Sequence, residues 1–159
     1  MKEKFSQISL PSVLSINARQ NEHYLRYFDE NELVVDNPIV TIQGPLLGLL
    51  SVHLKYPDQD LMVVACDMIN MDRIALMKLF SCYNSSQAEA IAFKGERIEP
   101  LCGMYSSRGL TKIYTAHREE KSYKNSMMHV LDKLNAEYIS IPEEWKSHFK
   151  NFNSAEDFN

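Results

Sequence analysis

The sequence predicts an α/β fold with a mainly parallel sheet, because short apolar runs typical of strands alternate with segments of helical periodicity. A second observation is that three of the apolar runs end in a polar side chain, at Asn17, Asp36 and Asp67. In such sheets ligands bind at the carboxyl ends of the strands, so these positions indicate the rim of a binding crevice. The length of 159 residues suits one domain with its own core.

The first half of the chain alternates strand and helix patterns. Strands are predicted at 12–17, 32–36 and 61–67, and helices at 21–28 and 46–55. The leucines of the second helix fall on one face, which predicts that this face is buried. Pro45 suits the first position of that helix, where its missing N–H costs nothing.

The second half begins with a helix over 73–83, for which Asp72 is the expected N-cap. A pair of strands follows, joined by a turn at Lys94–Glu96. The remaining elements are a helical region at 109–135 that breaks near Glu120, a last strand at 136–141, and a helix start capped by Ser154.

Composition narrows the functional class. The formal net charge is -4 and no lysine or arginine cluster occurs, which disfavours nucleic-acid binding. No apolar run reaches the roughly 18 residues that a membrane span needs, and the first residues lack a signal-peptide core, so a cytoplasmic location is expected. The three cysteines are widely spaced and are expected to be reduced and buried.

Asp67 is the principal candidate for chemistry, because it places a carboxylate at the end of the apolar run that starts at Leu61. Mg²⁺ is often held by one or two carboxylates together with substrate phosphates, so Asp67 is a candidate metal ligand. Two alternatives are a solvated loop acid and a cap for the next helix. A phosphorylated receiver aspartate is disfavoured, since the further acids near the start of the sheet are absent.

Weaker candidates lie at the other two strand ends and in the segment QGPLLG. Asp36 has the hydrogen-bonding capacity to bind a base or sugar, but Asp-Asn-Pro also favours a turn. Asn17 could donate or accept a hydrogen bond at the crevice rim, but the pattern favours local capping of the next helix. Gly44 allows close approach of a ligand to a helix N-terminus, which favours anions, and Gly48 permits either ligand approach or close packing.

Taken together, these segments resemble the molybdenum cofactor guanylyltransferases, also called molybdopterin-guanine dinucleotide synthases, of the nucleotidyltransferase superfamily. Five segments are similar to those of the family in order and spacing: VLSINARQ, LVVDN with QGPLLGLLSVH, MVVACDMINM, GERIEPLCGMYS and FKNFNSAED. The resemblance implies a Rossmann-like, three-layer nucleotidyltransferase fold over nearly the whole chain.

The resemblance also implies a reaction, the transfer of GMP from GTP to the terminal phosphate of the molybdopterin cofactor. By that comparison Asp67 would hold Mg²⁺, and Asn153 would lie on the acceptor side. The guanosine end would be contacted by Asn17 and Asp36, near Gly44, Pro45 and Gly48. Other proteins of molybdenum cofactor biosynthesis are possible partners. A related cytidylyl- or sugar-phosphate transferase and a non-catalytic nucleotide-binding module remain open as alternatives.

One departure from the family concerns the start of the domain. The family opens with a strand that runs into a glycine-rich loop bearing arginine and lysine, and no glycine of this chain precedes Gly44. We therefore expect residues 1–159 to be a single nucleotidyltransferase-like domain that lacks the first strand, loop and helix. Because a first strand normally lies in the middle of a doubly wound sheet, two strand edges are expected to lose their partners.

Overall fold

A computed structural model describes residues 10–119 and 124–149 of the chain, and its elements follow the predicted alternation. The strands are β1 (Leu14–Ile16), β2 (Leu33–Val35), β3 (Leu61–Val64), β4 (Ala90–Lys94), β5 (Ile98–Tyr105) and β6 (Ala136–Ser140). The α-helices are α1 (Asn21–Tyr24), α2 (Pro45–Lys55), α3 (Arg73–Asn84), α4 (Ser107–Glu119) and α5 (Met127–Lys133). Short 3₁₀ segments occupy Ala18–Gln20, Glu30–Glu32 and Glu143–Phe149.

The described strands form two sheets. β1 and β2 pair in parallel, and the other four strands have the order β3–β5–β4–β6. In the larger sheet β4 and β6 are parallel, whereas β5 runs antiparallel to both of its neighbours. Strands β3, β4 and β6 therefore run in one direction, which confirms the α/β class with a mainly parallel strand arrangement and the predicted strand pair β4–β5.

Helices cover both faces of the larger sheet, and strand alternation divides its side chains between them. In β3, Leu61 and Val63 join the core built by α2, α4 and α5. Met62 and Val64 point to the opposite core, which α3 closes together with Trp145 of the last 3₁₀ segment. Because successive strand side chains face opposite ways, one apolar run supplies both cores and creates three layers.

Helix α2 begins and packs as the sequence predicts. Gly44 is its N-cap with φ of 73°, and Pro45 occupies the first turn. The helix packs against the core that it shares with α4 through the buried side chains of Leu46, Leu49 and Leu50. The helix also contacts both β1 and β2, so it links the two sheets through their common layer.

Three local predictions were wrong. The helix predicted at 21–28 contains a single α-helical turn, α1, because that turn has no buried side chain with which to pack. Helix α4 starts at Ser107, before the predicted start, since the Ser106 side chain accepts a hydrogen bond from Gly109 N–H and Asp60 accepts one from Ser107 N–H. Cys66 is exposed, although it was expected to be buried.

Other parts of the second half agree with the sequence. The Asp72 side chain caps α3 by accepting the Ala75 N–H at 2.9 Å. Residues on either side of the predicted break form α4 and α5, while Glu120 itself lies outside the described residues, as does Ser154. Within 10–119 and 124–149, no helix is both long and apolar enough to cross a membrane.

Candidate functional site

Asp67 lies in the turn that follows β3, where its side chain is partly buried. Met68 and Met71 are buried and attach this turn to the core that packs against α3. Capping of α3 is performed by Asp72, so the reading of Asp67 as a helix cap is excluded. The Oδ1 atom of Asp67 is buried and has no hydrogen-bond partner among the described residues. A buried carboxylate oxygen without a hydrogen-bond partner lowers the stability of the fold. Such an atom is a candidate for binding a ligand.

Glu99 is a second carboxylate beside Asp67, and sequence reasoning missed it. Asp67 lies in the turn beyond the end of β3 and Glu99 lies near the start of β5, close enough for their charges to interact. Burial raises the pKa of the Glu99 carboxyl, the Arg97 charge lowers it, and the Asp67 charge raises it further. The sequence carried no signal for this pair, because the antiparallel pairing of β3 with β5 is a property of the folded chain.

The ends of β1 and β2 bring Asn17 and Asp36 together. Asp36 N–H donates to the carbonyl oxygen of Ile16 at 2.9 Å, so the residues that follow the two strands are neighbours. Burial raises the pKa of the Asp36 carboxyl. The Asn17 side-chain oxygen caps the first 3₁₀ turn by accepting the N–H groups of Arg19 and Gln20. The capping interpretation of Asn17 is therefore correct for its oxygen atom.

Helix α2 approaches this pair of strand ends at Gly48. A methyl group placed on Gly48 would lie 2.6 Å from Ser15 Oγ and 3.8 Å from Asp36 Oδ1. Because glycine has no side chain, the helix packs at residue 48 directly against the end of β1 and beside the Asp36 carboxylate. The close-packing interpretation of Gly48 explains this contact, and the sequence had left it open against ligand approach.

Gly44 has a backbone conformation that other residues avoid. Its φ of 73° and ψ of -159° lie in a region that is essentially restricted to glycine. No atom lies within 4 Å of the position that its Cβ would take, so the requirement is conformational and does not arise from crowding. The loop between Asp36 and Gly44 is held to the helix layer, since Asn37 N–H donates to Ser51 Oγ at 2.8 Å.

The donor set for a metal is small. No group of three or more histidine, cysteine, aspartate or glutamate side chains is assembled within residues 10–119 and 124–149. Asp67 and Glu99 offer carboxylate oxygens only, and one of those oxygens is buried without a partner. Such a pair fits Mg²⁺, which prefers oxygen ligands and retains waters or substrate phosphates in its remaining positions.

Two further observations delimit the site. A cavity of about 380 Å³ lies between β2, α1 and α2, with Asn37 and Lys55 in its lining, but neither Asp36 nor Asp67 lines it. The candidate site is therefore defined by the strand ends and does not coincide with this cavity. Asn153, predicted to contact the acceptor, lies outside the described residues.

The MobA-like NTP transferase domain family matches residues 3–136, which is most of the chain. The chain belongs to this family. Solved structures agree on the fold of the MobA-like domain. Molybdopterin-guanine dinucleotide biosynthesis protein A from Archaeoglobus fulgidus superposes with a TM-score of 0.70 at 19% identity, over 87% of this chain and 70% of that one. A protein of Aquifex aeolicus superposes with a TM-score of 0.62 at 19% identity, over 77% of this chain and 62% of that one.

Curated relatives of this MobA-like chain carry the name "Probable molybdenum cofactor guanylyltransferase". The protein from Geobacillus sp. is 26% identical over 129 residues, which cover 80% of this chain and 65% of the relative. The protein from Methanocaldococcus jannaschii is 29% identical over 163 residues, which cover 97% of this chain and 78% of the relative. The chain thus spans about two thirds to three quarters of the length of these relatives.

Proposed function

We propose that this chain is the greater part of a Mg²⁺-dependent guanylyltransferase that transfers GMP from GTP to the molybdopterin cofactor. The observation that carries the proposal is the buried, unpartnered Oδ1 of Asp67 beside Glu99, in a chain of the MobA-like family. The names of the curated relatives supply the nucleotide and the acceptor.

In this proposal each end of the site has its own task. Asp67 and Glu99 hold Mg²⁺, which when bound supplies positive charge to the triphosphate. Asp36 accepts hydrogen bonds from the nucleoside, and Gly48 allows α2 to come close to it. Phosphoryl transfer depends on position and charge neutralisation more than on covalent help from the protein, and two carboxylates with a shaped strand rim are suited to that requirement.

We further propose that residues 1–159 form one nucleotidyltransferase-like domain. No glycine precedes Gly44 in this sequence, and a backbone cradle for phosphates needs residues that approach the ligand closely. The chain alone is therefore expected to bind GTP weakly and to turn it over poorly.

Titration of Mg²⁺ and nucleotide into the purified chain tests the proposal. Heat release is recorded by calorimetry for GTP, CTP and GDP-mannose, each with and without Mg²⁺. Binding of GTP that requires Mg²⁺ and is lost in Asp67→Ala supports the proposal. Preference for CTP or the sugar nucleotide would reassign the substrate within the superfamily. Binding of GTP that is unchanged in Asp67→Ala would remove Asp67 from the site.

A further inference from the structure

Arg97 is an exposed arginine in the turn that joins β4 to β5. Its backbone closes that turn, because the carbonyl oxygen of Arg97 accepts the Gly95 N–H at 2.9 Å. Its guanidinium makes no hydrogen bond and no ion pair with any residue in 10–119 or 124–149. The planar set of N–H donors of this arginine, and its permanent positive charge, are therefore available to a ligand.

The strand pairing places Arg97 on the same side of the sheet as Glu99. Glu99 pairs with Phe93, and directly paired strand residues point to the same face. Phe93 belongs to the core that α3 closes, so Glu99 lies on the α3 side. Ile98 packs against the opposite core, and side chains alternate along an extended chain, so residue 97 returns to the side of Glu99.

A β-bulge fixes the direction in which this turn projects. The β4–β5 register shifts between Ala92 and Phe93, so β5 carries extra residues just after Glu99. These residues are tied to the core, since the hydroxyl of the buried Tyr105 donates to the carbonyl oxygen of Pro100 at 2.6 Å. Bulges bend a strand and redirect its side chains, and they are frequent next to active sites. The position of the turn relative to the sheet is therefore determined by the packed structure.

A cation and two acids interact at this end of the sheet. Burial raises the pKa of the Glu99 carboxyl, the Arg97 charge opposes that rise, and the Asp67 charge adds to it. Glu99 therefore lies within electrostatic range of both other groups. Arg97 nevertheless forms no ion pair with Glu99, so a structural salt bridge does not explain an arginine at this position.

Two other cations near the turn are already engaged. Lys94, the last residue of β4, lies over the Tyr138 ring, with Nζ 5.7 Å from the ring centroid. Lys146 of the last 3₁₀ segment pairs with Glu143, at 2.7 Å between Nζ and Oε2. Arg97 differs from both, since its charged group has no partner among the described residues.

We propose that Arg97 binds a phosphate group of the substrate, beside the Mg²⁺ that Asp67 and Glu99 would hold. This inference rests on the proposed function of that carboxylate pair. A guanidinium presents parallel N–H donors that match two phosphate oxygens, which a lysine ammonium does not. Mg²⁺ held by one or two carboxylates completes its coordination with substrate phosphates, so a phosphate at this metal lies on the side of the sheet that residue 97 faces. The contact serves the triphosphate of the nucleotide or the terminal phosphate of the acceptor, and the test separates these two sources.

Equilibrium titrations of the 159-residue chain measure the contact. The ligands are inorganic triphosphate, GTP and molybdopterin, each with Mg²⁺, and the variants are Arg97→Gln, Arg97→Lys and Lys94→Gln. If the phosphate belongs to the nucleotide, Arg97→Gln weakens binding of triphosphate and of GTP by the same factor, about tenfold or more. If it belongs to the acceptor, the affinity for molybdopterin alone falls by this factor.

The other two variants separate the guanidinium from general charge. Arg97→Lys should lose less affinity than Arg97→Gln, because lysine keeps the charge without the planar donors. Lys94→Gln is the matched control in the same turn and should bind like the wild type, because Lys94 lies on Tyr138. Urea unfolding of Arg97→Gln should show the wild-type midpoint, since the guanidinium has no described partner to lose.

Four results would overturn the proposal. They are unchanged affinity of Arg97→Gln for all three phosphate compounds, no binding of any of them by the wild type, an equal loss in Lys94→Gln, and a lowered unfolding midpoint in Arg97→Gln. The proposed function fails by a different result, equal affinity for GTP and CTP, which leaves the triphosphate measurement intact. Loss of GTP binding in Asp67→Ala with unchanged binding in Arg97→Gln would refute the role of Arg97 alone.

Discussion

Replacing Asp67 by alanine is expected to stabilise the ligand-free chain while abolishing its stabilisation by Mg²⁺ and GTP. The reason is that Oδ1 of Asp67 is buried without a partner among the described residues, and that its charge lies near the Glu99 carboxylate. Removing the carboxylate eliminates both unfavourable features. An acid retained for ligand binding therefore costs stability in the absence of the ligand.

The size of the effect follows from the burial of this one oxygen. A buried acceptor without a partner costs about 1–3 kcal/mol, and because Asp67 is only partly buried we take the lower end, about 1 kcal/mol. A change of that size raises the melting temperature of a chain of this length by about 2–4 °C. In the wild type, ligand at one hundred times its Kd adds about 2.7 kcal/mol, and the variant should gain nothing from it.

Urea unfolding with and without Mg²⁺ and GTP measures both effects in one series. Asp72→Ala is the matched control, because Asp72 accepts the Ala75 N–H as the cap of α3. This control should lose about 1 kcal/mol without ligand and retain the ligand-dependent gain. The wild type should thus be less stable than Asp67→Ala without ligand and more stable with it.

The reasoning would be refuted if Asp67→Ala were destabilised by 1 kcal/mol or more without ligand, an effect of about the size expected for the cap. Such a result would mean that the Asp67 carboxylate has a structural partner. Retention of the ligand-dependent gain in Asp67→Ala would refute the metal role separately, even if the ligand-free variant were stabilised as expected.

Three further predictions concern single positions. Gly44→Ala should cost about 1–3 kcal/mol of unfolding free energy from backbone strain alone, and an unchanged urea midpoint would contradict the φ of 73°. Gly48→Ala should be about 1 kcal/mol more favourable in a Ser15→Ala background, because the added methyl then no longer meets Ser15 Oγ; additive effects in the double-mutant cycle would argue against this contact. Glu89→Gln should lower the free energy of unfolding at pH 7, because hydrogen bonding from Lys112 lowers the pKa of the buried Glu89 carboxyl. The difference in stability between the variant and the wild type should shrink as the pH falls below about 4.5. A difference that does not depend on pH between 7 and 3 would rule out the charge as its cause.

The sign of the Glu89 prediction follows from the direction of the shift. A carboxyl whose pKa is lower in the folded chain contributes stability above its unfolded pKa, and that contribution disappears as the pH falls through the folded pKa. Glu89 accepts hydrogen bonds from Lys112 and from Asn135 N–H, so the charged form is the one that the fold stabilises. Glutamine cannot reproduce the charge at any pH, and the two proteins should converge in acid.

Local patterns in the sequence predicted much of the fold. Asp72 was identified as a cap because a short acid before an apolar periodic segment satisfies the free N–H groups of a helix start. The α2 leucines were assigned to the core from their spacing alone. The same kind of spacing predicted a helix at 21–28, where only one α-helical turn forms, because helical spacing without a buried face does not stabilise a helix.

Of the two carboxylates of the candidate site, one was predictable from the sequence and the other was not. Asp67 was recognisable because it interrupts an apolar run at the end of a strand. Glu99 was not, because its position beside Asp67 depends on the register between β3 and β5, which pairs residues more than thirty positions apart. Register is set by the packing of both sheet faces, and a single sequence does not report it directly.

The sequence by itself determined the alternation of strands and helices, the cap of α3, and the polar strand ends at Asn17, Asp36 and Asp67, since these depend on neighbours within a few residues. Tertiary structure decided which residues face one another. It set Gly48 against Ser15 and Asp36, and it set Asp67 near Glu99. Those relations arise from strand order and helix packing, which are properties of the folded chain as a whole.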